Sequence, residues 1–456
     1  MFPDQRGPAS RAVSACLARA LEDPSAAALA LLARRDEDAL DEARARDALR
    51  TLAPGDEPLA GMALGVKACF DVRGWTTHAG SRVLSDAPAA AEDAPLVRRL
   101  RRAGAVLLAQ NNMTEFAYGA LGLNATFGTP LTPCMADAPR VAGGSSSGGA
   151  VAVARGMVNL ALVSDTSGSA RIPAAFCGVA GFKPSRGRYE DAGMTYLSPT
   201  FDVPGIIATD AAQCLRVDKA LAPRPDAGSP ARLARAAAPL AGLNFVVPDH
   251  VEDMLDPEVR RAFSAWLQCL MGAGAALRRV PMPCVAQSGL VARDGGIIAA
   301  EAYMLHAPRL AKDAARYDPR VGPRMLLGAQ VPAHAYLAAQ RRLAELRREY
   351  DAAMAGADAV LTPTVPMLPP TLAQLEDNDA YLRENSRAFS LTEFANRLDL
   401  PSISLPGDLA DRSAVGLMAT GLRGGDRALL AAAVRIEAAL GAAARRRNRF
   451  PHSFAE

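Results

Sequence analysis

The sequence predicts an α/β protein whose sheet takes strands from both ends of the chain. A helical pattern, LVRRLRRAG, opens after Asp93-Ala94-Pro95 and ends at Gly104, directly before the apolar run AVLLAQ. This helix-then-strand order is typical of α/β folds. Short apolar runs at 160–165 and 244–248, and again at 359–361 and 402–405, indicate buried strands in both halves of the chain.

Composition indicates a globular protein without a nucleic-acid-binding surface. The 456 residues are 50% hydrophobic, and the formal net charge is only +3. Arginine and acidic residues alternate along the chain instead of forming a basic stripe. No apolar run is long enough to span a bilayer, and the first residues show no pattern of a secretory signal peptide. The seven cysteines are scattered and never form CxxC, so we expect no disulfide framework, no metal site and a cytoplasmic location.

The domain organisation is predicted to be simple. We expect one domain over 1–456, with a helical flank at about 1–55 in which Asp23-Pro24 separates two helices. An Ala/Pro/Arg-rich stretch near 222–243 is the best candidate for an internal boundary. No internal repeat is present.

Two Ser/Gly loops and one lysine are the strongest candidates for chemistry. GGSSSGGAVAVARG, over 143–156, places three hydroxyls at the entrance to a helix, where free N–H groups favour an anion. A flexible turn is the alternative. The segment also fits a GxSxG nucleophile elbow centred on Ser146, which would need a histidine partner that no Gly- or Ser-rich loop supplies. Lys67, one of only four lysines, lies in the apolar run ALGVKACF, where a structural ion pair is the alternative to catalysis.

Taken together, three separated segments resemble the amidase signature family. They are LGVKACFDVRGWTTHAGS, VAGGSSSGGAVAVARG and LVSDTSGSARIPAAFCGVAGFKPSRGR, and the likeness extends to LTPTVP and LPSISLP near the end of the chain. The resemblance implies a mixed central β-sheet covered by α-helices on both faces. It also implies a small-molecule amide as substrate, with no metal and no organic cofactor.

The resemblance assigns a Ser-cisSer-Lys triad to this chain. It makes Ser169 the nucleophile, Ser145 the bridging residue after a cis peptide bond with Gly144, and Lys67 the base. The backbone amides of Thr166, Ser167, Gly168 and Ser169 become the oxyanion hole. Met113, Tyr118 and Gly144 become candidate substrate-binding residues, although an apolar methionine is more often part of the core, and Ser145 as a helix cap stays an alternative.

The chemistry of the three residues agrees with those roles. A serine hydroxyl is a poor nucleophile until a neighbouring base takes its proton, and lysine can do so only as a neutral amine. Bringing a lysine pKa near neutrality takes roughly three units, or about 4 kcal/mol, which burial can supply. We interpret Asp165 and Arg171, which flank the second loop with opposite charges, as a structural clamp, and Lys183 as structural too.

Four residues depart from the usual family pattern: Ala68, Ser164, Ser167 and Ala170. Ser167 matters most among them. A side chain where glycine is usual restricts the backbone beside the oxyanion hole and narrows the acyl site. These departures bear on substrate choice and rate.

The sequence therefore predicts an amidase that acts on linear amides and releases ammonia or an amine. Three alternatives stay open: the glutaminase subunit of a tRNA-dependent amidotransferase, a hydrolase of a urea-derived amide such as allophanate, and a catalytically silent scaffold. Only the first would bring a nucleic acid near the chain. No membrane partner is expected, and a homodimer stays open.

Overall fold

A computed structural model of the chain describes residues 7–52, 57–222, 239–407 and 414–449. The described residues form one 11-stranded mixed sheet, which confirms the predicted α/β class. The strands are β1 (Leu31–Arg34), β2 (Ala63–Lys67), β3 (Val106–Asn111), β4 (Leu160–Asp165), β5 (Ala180–Lys183), β6 (Val203–Ala208), β7 (Asn244–Pro248), β8 (Ala276–Val280), β9 (Ala359–Pro363), β10 (Ser402–Pro406) and β11 (Gly416–Thr420).

Helices occupy most of the connections between these strands. They are α1 (Pro8–Glu22), α2 (Pro24–Ala30), α3 (Asp36–Leu52), α4 (Pro95–Arg102), α5 (Ser147–Ala154), α6 (Arg171–Cys177), α7 (Ala211–Leu221), α8 (Pro257–Gly272), α9 (Pro283–Asp294), α10 (Ile297–Asp313), α11 (Gly322–Leu326), α12 (Ala333–Ala353), α13 (Asn378–Phe389), α14 (Glu393–Arg397) and α15 (Asp426–Arg449). None of the described helices is both long and apolar enough to cross a membrane.

The strand order places the predicted loops side by side. It runs β1-β3-β2-β4-β6-β5-β10-β11-β9-β7-β8, so strands from the two ends of the chain meet in one sheet, as predicted. β2 lies between β3 and β4 and is parallel to both. The carboxyl ends of parallel neighbours share one edge of a sheet. Lys67 at the end of β2 and the loop after β4 therefore lie at the same edge.

Both faces of the sheet are covered by helices. Leu64 of β2 packs in a hydrophobic cluster with residues of α4 and α7, whereas Ala63 packs in a second cluster with α1 and α5. β7 alternates in the same way, with Phe245 in the first cluster and Val246 in a third, which includes residues of α9 and α12. Because successive side chains of a strand point to opposite faces, β2 and most of β7 are buried from both sides.

The N-terminal flank differs from the prediction of two helices. Between α2 and α3 the chain forms the short edge strand β1, which pairs antiparallel with β3. Leu31-Leu32-Ala33-Arg34 has no strong strand propensity, and backbone pairing with an existing strand overrides its helical composition. The proposed boundary near 222–243 falls mostly on 223–238, which lies outside the described residues, and the single-domain organisation stays a prediction.

Candidate active site

Lys67 is the last residue of β2, and its side chain is completely buried. Its Nζ donates to Ser145 Oγ at 2.8 Å and to Ser164 Oγ at 2.8 Å, and it lies 3.4 Å from the carbonyl oxygen of Ser164. Within the described part of the chain, no carboxylate pairs with Nζ. A structural ion pair, the alternative to catalysis for this lysine, is therefore absent among the described residues.

Burial lowers the pKa of Lys67 from its usual value of 10.5. The opposing influences are the Cys69 thiol when ionised and the Asp165 and Asp202 carboxylates, which favour the charged amine but do not compensate for the lost hydration. Loss of hydration disfavours the charged form of any group. The neutral amine that a base requires is thus favoured by the position of Lys67 in the fold.

Ser145 lies at the entrance to α5, after a cis peptide bond with Gly144. The surrounding backbone is tightly packed, because Thr114 N–H donates to the Ser145 carbonyl at 3.0 Å and Gly144 N–H donates to the Ala120 carbonyl at 2.6 Å. A Cβ atom added to Gly144 would lie 2.6 Å from the Gly122 nitrogen. Only glycine fits at that position.

Ser169 lies two residues before the short helix α6 and is 1% exposed. Its Oγ has no hydrogen-bond partner among the described residues. The predicted contact between Ser145 and Ser169 is therefore not formed here, although the two segments touch where Ser146 N–H donates to the Ser169 carbonyl at 3.3 Å. Catalytic hydrogen bonds often close only when substrate is bound. The hydroxyl of Ser146 instead donates to the Ser164 carbonyl at 3.3 Å, with no histidine involved.

The oxyanion loop, defined here as residues 166–169, joins β4 to α6. Its Gly168 N–H donates to Asp165 Oδ1 at 2.8 Å, so this amide, predicted as part of the oxyanion hole, is already engaged. The N–H groups of Thr166, Ser167 and Ser169 donate to no acceptor among the described residues. Of the four amides predicted for the oxyanion hole, these three are therefore without an acceptor among the described residues.

Asp165 and Arg171 form a fully buried ion pair beside the oxyanion loop, with Arg171 Nη2 3.0 Å and Nε 3.1 Å from the carboxylate oxygens. Burial alone would raise the pKa of Asp165, but the Arg171 guanidinium and the nearby Lys183 hold it at about 2. Arg171 also donates to Asn396 Oδ1 at 2.7 Å. Lys183, whose pKa burial lowers to about 8, donates to the Pro184 carbonyl at 2.8 Å. These contacts fit the clamp predicted for Asp165 and Arg171.

The two candidate acyl-pocket residues differ in their surroundings. Met113 is completely buried in the main hydrophobic cluster. Tyr118 is half-buried and lies under the guanidinium of Arg324, whose CZ atom is 3.9 Å from the ring centre. Arg324 Nη1 also donates to the Tyr118 carbonyl at 2.8 Å. Tyr118 is therefore held by a cation, whereas Met113 contributes to packing.

Several residues at the site are absent from the predicted site residues. Ser164 is predicted only as a departure from the family pattern, yet its hydroxyl binds Lys67. Asp202 accepts from Thr166 Oγ1 at 2.5 Å, and burial raises its pKa to about 6. Arg397 Nη2 donates to Ser167 Oγ at 2.8 Å. Ser164 adjoins the second loop and could have been found, whereas Asp202 and Arg397 lie in segments without a recognisable pattern.

A lysine joined to a serine hydroxyl, beside a second buried serine on an amide-rich loop, is the arrangement of serine hydrolases that use lysine in place of histidine. The family model described as Amidase matches residues 11–430. The chain belongs to this family, whose members hydrolyse C–N bonds of amides.

Known relatives and structures agree with this assignment. The chain is 36% identical over 420 residues to 2-amino-5-chloromuconic acid deaminase of Comamonas testosteroni, covering 88% of this chain and 87% of that protein. It is 31% identical to a glutamyl-tRNA(Gln) amidotransferase subunit of Halobacterium salinarum, covering 84% and 96%. A crystal structure described as an amidase matches with a TM-score of 0.83 and 32% identity, covering 96% and 97%.

Replacement of Asp165 by Asn is expected to destabilise the fold by about 3 to 5 kcal/mol, because it leaves Arg171 buried without a counter-charge. Chemical denaturation measures this loss of unfolding free energy. Asp256→Asn is the control, since the pair of Asp256 with Arg387 has side chains 39% and 37% exposed and should contribute less than about 1 kcal/mol.

The stability difference between the parent and Asp165→Asn should also depend on pH. The lowered pKa of Asp165 means that its contribution is present above the unfolded pKa of about 4 and is lost as pH falls towards about 2. The difference in unfolding free energy between the two proteins should therefore become smaller as pH falls from about 4 to about 2. A difference that stays constant down to pH 2 would contradict the ion-pair account.

Proposed function

We propose that this enzyme hydrolyses a linear carboxylic amide through a covalent intermediate on Ser169, with Ser145 as proton relay and Lys67 as base. The observation that carries this proposal is the buried Lys67, whose amine contacts the Ser145 hydroxyl and pairs with no carboxylate among the described residues. Burial lowers the pKa of a lysine in this setting and so makes the neutral form, which can accept a proton, easier to reach.

In the proposed cycle, the Ser169 oxygen attacks the carbonyl carbon while its proton passes to Ser145, whose own proton passes to Lys67. The tetrahedral intermediate collapses as the C–N bond breaks, and the leaving nitrogen takes the proton back through the same relay. Water then attacks the acyl-serine carbonyl with Lys67 again as base, which releases the carboxylic acid and restores Ser169. Neither a metal nor an organic cofactor supplies any of these steps.

The negative charge on the carbonyl oxygen is proposed to be bound by the N–H groups of Thr166, Ser167 and Ser169. Fixed amides in a site without water stabilise a developing oxyanion strongly, and loss of one such donor typically costs about a hundredfold to a thousandfold in rate. Gly168 contributes indirectly, because its bond to Asp165 fixes the fold of the loop.

We further propose that the substrate carries a carboxylate, bound near Tyr118 by Arg324. This guanidinium is half-buried and pairs with no acidic side chain among the described residues. Burial raises the pKa of both Tyr118 and Tyr381, and the charge of Arg324 opposes that rise in both. The Tyr381 ring lies against a second cation, the Arg320 guanidinium, whose carbon is 4.7 Å from the ring centre. Neither phenol hydroxyl makes a hydrogen bond among the described residues, so each could donate to a bound substrate.

Packing connects Tyr381 to the serine site. A Cβ atom added to Gly119 would lie 3.0 Å from the Thr114 side chain and 3.1 Å from the Tyr381 hydroxyl, and one added to Gly144 would lie 2.8 Å from Thr114 Oγ1. Contacts through Gly119 and Thr114 thus connect the Tyr381 hydroxyl to Gly144, the residue before Ser145. The deaminase relative is named for an acid, which agrees with an anionic substrate.

Glutamine hydrolysis for a partner protein is the second candidate, supported by the likeness to the amidotransferase relative. Glutamine also carries a carboxylate, so Arg324 does not separate the two candidates. Ammonia release by the isolated chain does separate the two candidates, because a glutaminase of this kind delivers its ammonia to a partner. A cytoplasmic location fits the seven cysteines, which form no disulfide among the described residues and of which only Cys269 is not buried, and a homodimer stays open.

Ser169→Ala should lose on the order of a millionfold in kcat, by analogy with other serine nucleophiles. Ammonia release is measured on a panel of simple amides, allophanate and glutamine. Ser147→Ala is the matched control, since Ser147 Oγ is also buried without a partner among the described residues but belongs to α5. A fluorophosphonate probe should label Ser169, and Lys67→Ala should abolish the label.

Each other outcome of this experiment would support one of the competing hypotheses. Label on Ser146 would support the nucleophile elbow. No label together with no hydrolysis of any amide would support the silent scaffold. Equal rates from parent and Ser169→Ala would exclude the acyl-serine mechanism for that panel.

The rate should rise with pH as Lys67 loses its proton. Because burial lowers the pKa of Lys67 from 10.5, the rising limb of kcat/KM should lie below pH 10.5. The measurement is a pH–rate profile on the best amide of the panel. A limb that continues to rise above that pH would contradict a neutral Lys67.

Arg324→Gln should raise KM for amides that carry a carboxylate by about tenfold to a hundredfold, because one charge-assisted contact is lost. Neutral amides should be hydrolysed with unchanged KM. Arg316→Gln is the control, since Arg316 pairs with Asp86 on an exposed surface. An equal change for charged and neutral amides would show that Arg324 acts on structure and not on the substrate's charge.

A further inference from the structure

We propose that Arg397 is a positioning residue for the oxyanion hole, and that it acts through the Thr166 carbonyl and the Ser167 hydroxyl. The inference rests on the proposed function, because it assigns a role within the same site. Ser167 stands where the family usually has glycine, and its hydroxyl is the atom that Arg397 holds.

The contacts of Arg397 fall on two consecutive residues of the oxyanion loop. Its Nη2 donates to Ser167 Oγ at 2.8 Å, and its Nη1 donates to the Thr166 carbonyl oxygen at 3.1 Å. Arg397 is 4% exposed, so water competes little for either bond. A planar guanidinium can make both contacts at once, which a lysine ammonium does less well.

The contact between Arg397 and the Thr166 carbonyl fixes the direction of the Ser167 N–H, one of the proposed oxyanion-hole amides. The carbonyl of Thr166 and the N–H of Ser167 belong to one planar peptide unit, in which they point in opposite directions. Holding that oxygen therefore aims the Ser167 N–H away from Arg397. A cation on the carbonyl also polarises the peptide, which makes its N–H a stronger donor.

Arg397 is itself held in place from two other sides. Glu393 Oε2, one turn earlier on α14, lies 3.1 Å from Nη2, and the Phe201 ring lies 4.3 Å from the guanidinium carbon. Burial lowers the pKa of Arg397, and the nearby charge of Arg171 acts in the same direction. Burying a second cation beside Arg171 is costly unless it is well paired. Its bonds to the loop and to Glu393 offset that cost.

Ser167 and Arg397 therefore form a matched pair. Glycine at 167 would leave Arg397 Nη2 with Glu393 as its remaining partner, and loss of the guanidinium would leave the Ser167 hydroxyl buried without a donor. Thr392 Oγ1 donates to the Ser167 carbonyl at 2.6 Å and fixes the next peptide unit, which includes the Gly168 N–H. The loop is thus held at two successive carbonyls by side chains from one segment.

The test compares Arg397→Met, Arg397→Lys, Ser167→Gly and the Arg397→Met/Ser167→Gly double variant with the parent. Two quantities are measured: kcat and KM on an amide that the parent hydrolyses, and the second-order rate of Ser169 labelling by a fluorophosphonate, whose phosphoryl oxygen occupies the oxyanion hole. Arg347→Met is the control, since Arg347 is half-buried on α12, has no acidic partner among the described residues and binds only the Leu398 carbonyl, at 2.8 Å.

Arg397→Met should lower kcat and the labelling rate by about tenfold to a hundredfold, less than the loss of a whole oxyanion donor would cost. KM should change by less than about threefold, because ground-state binding is untouched. Arg397→Lys should recover part of the loss. Ser167→Gly should cost less in the Arg397→Met background than in the parent, because the two residues act through one contact.

A role in stability alone would lower the melting temperature and leave kcat and labelling of the folded protein within about twofold of the parent, which would overturn the proposal. Equal effects of Ser167→Gly in both backgrounds would also overturn it. Should Arg397→Met fail to fold, Arg397→Lys and Ser167→Gly give the same comparison. Absence of Ser169 labelling in the parent would overturn the proposed function and this inference together, whereas normal labelling with unaffected variants would overturn this inference only.

Discussion

A lysine without solvent and without a carboxylate must be held by groups that tolerate both of its protonation states. The charged amine of Lys67 has three donors, and the two serine hydroxyls and the Ser164 carbonyl offer three acceptors. A hydroxyl can also reverse its role and donate to the neutral amine. A carboxylate in the same position would have fixed the charged form. The identity of the partners, more than burial alone, therefore lets Lys67 gain and lose a proton.

The shape of the oxyanion loop depends on charges other than that of Lys67. Asp165 binds two N–H groups of the segment, those of Gly168 and Ala170, so its carboxylate acts as an internal template for the turn. Arg171 neutralises the charge of Asp165 and also donates to Asn396 on α14. The N–H groups of Thr166, Ser167 and Ser169 make no hydrogen bond to Asp165. A buried ion pair of this kind specifies geometry even where its net stabilisation is small.

Local patterns predicted the parts of the site that are built from contiguous segments. β2 with Lys67 at its end is an apolar run, and the segment before α5 is a run of Gly and Ser. The oxyanion loop follows the apolar run of β4 and consists of small residues, so all three segments could be located by sequence. β1 was missed because its conformation is imposed by pairing with β3 and not by its own residues. Arg397 was missed for a different reason. Its contact with Ser167 joins positions 230 residues apart, and no spacing rule connects them.

Thr166 shows how the two long-range contacts complement each other. Its hydroxyl donates to the Asp202 carboxylate, and its carbonyl accepts from the Arg397 guanidinium. Its side chain and its backbone are therefore each held by a charged group. Burial raises the pKa of Asp202 to about 6, and the charge of Lys67 opposes that rise. When Lys67 gives up its proton, this opposition disappears and Asp202 becomes easier to protonate. Lys67 and the carboxylate that holds Thr166 are thus electrostatically coupled. The hydrogen bond from Thr166 is strongest when Asp202 is ionised.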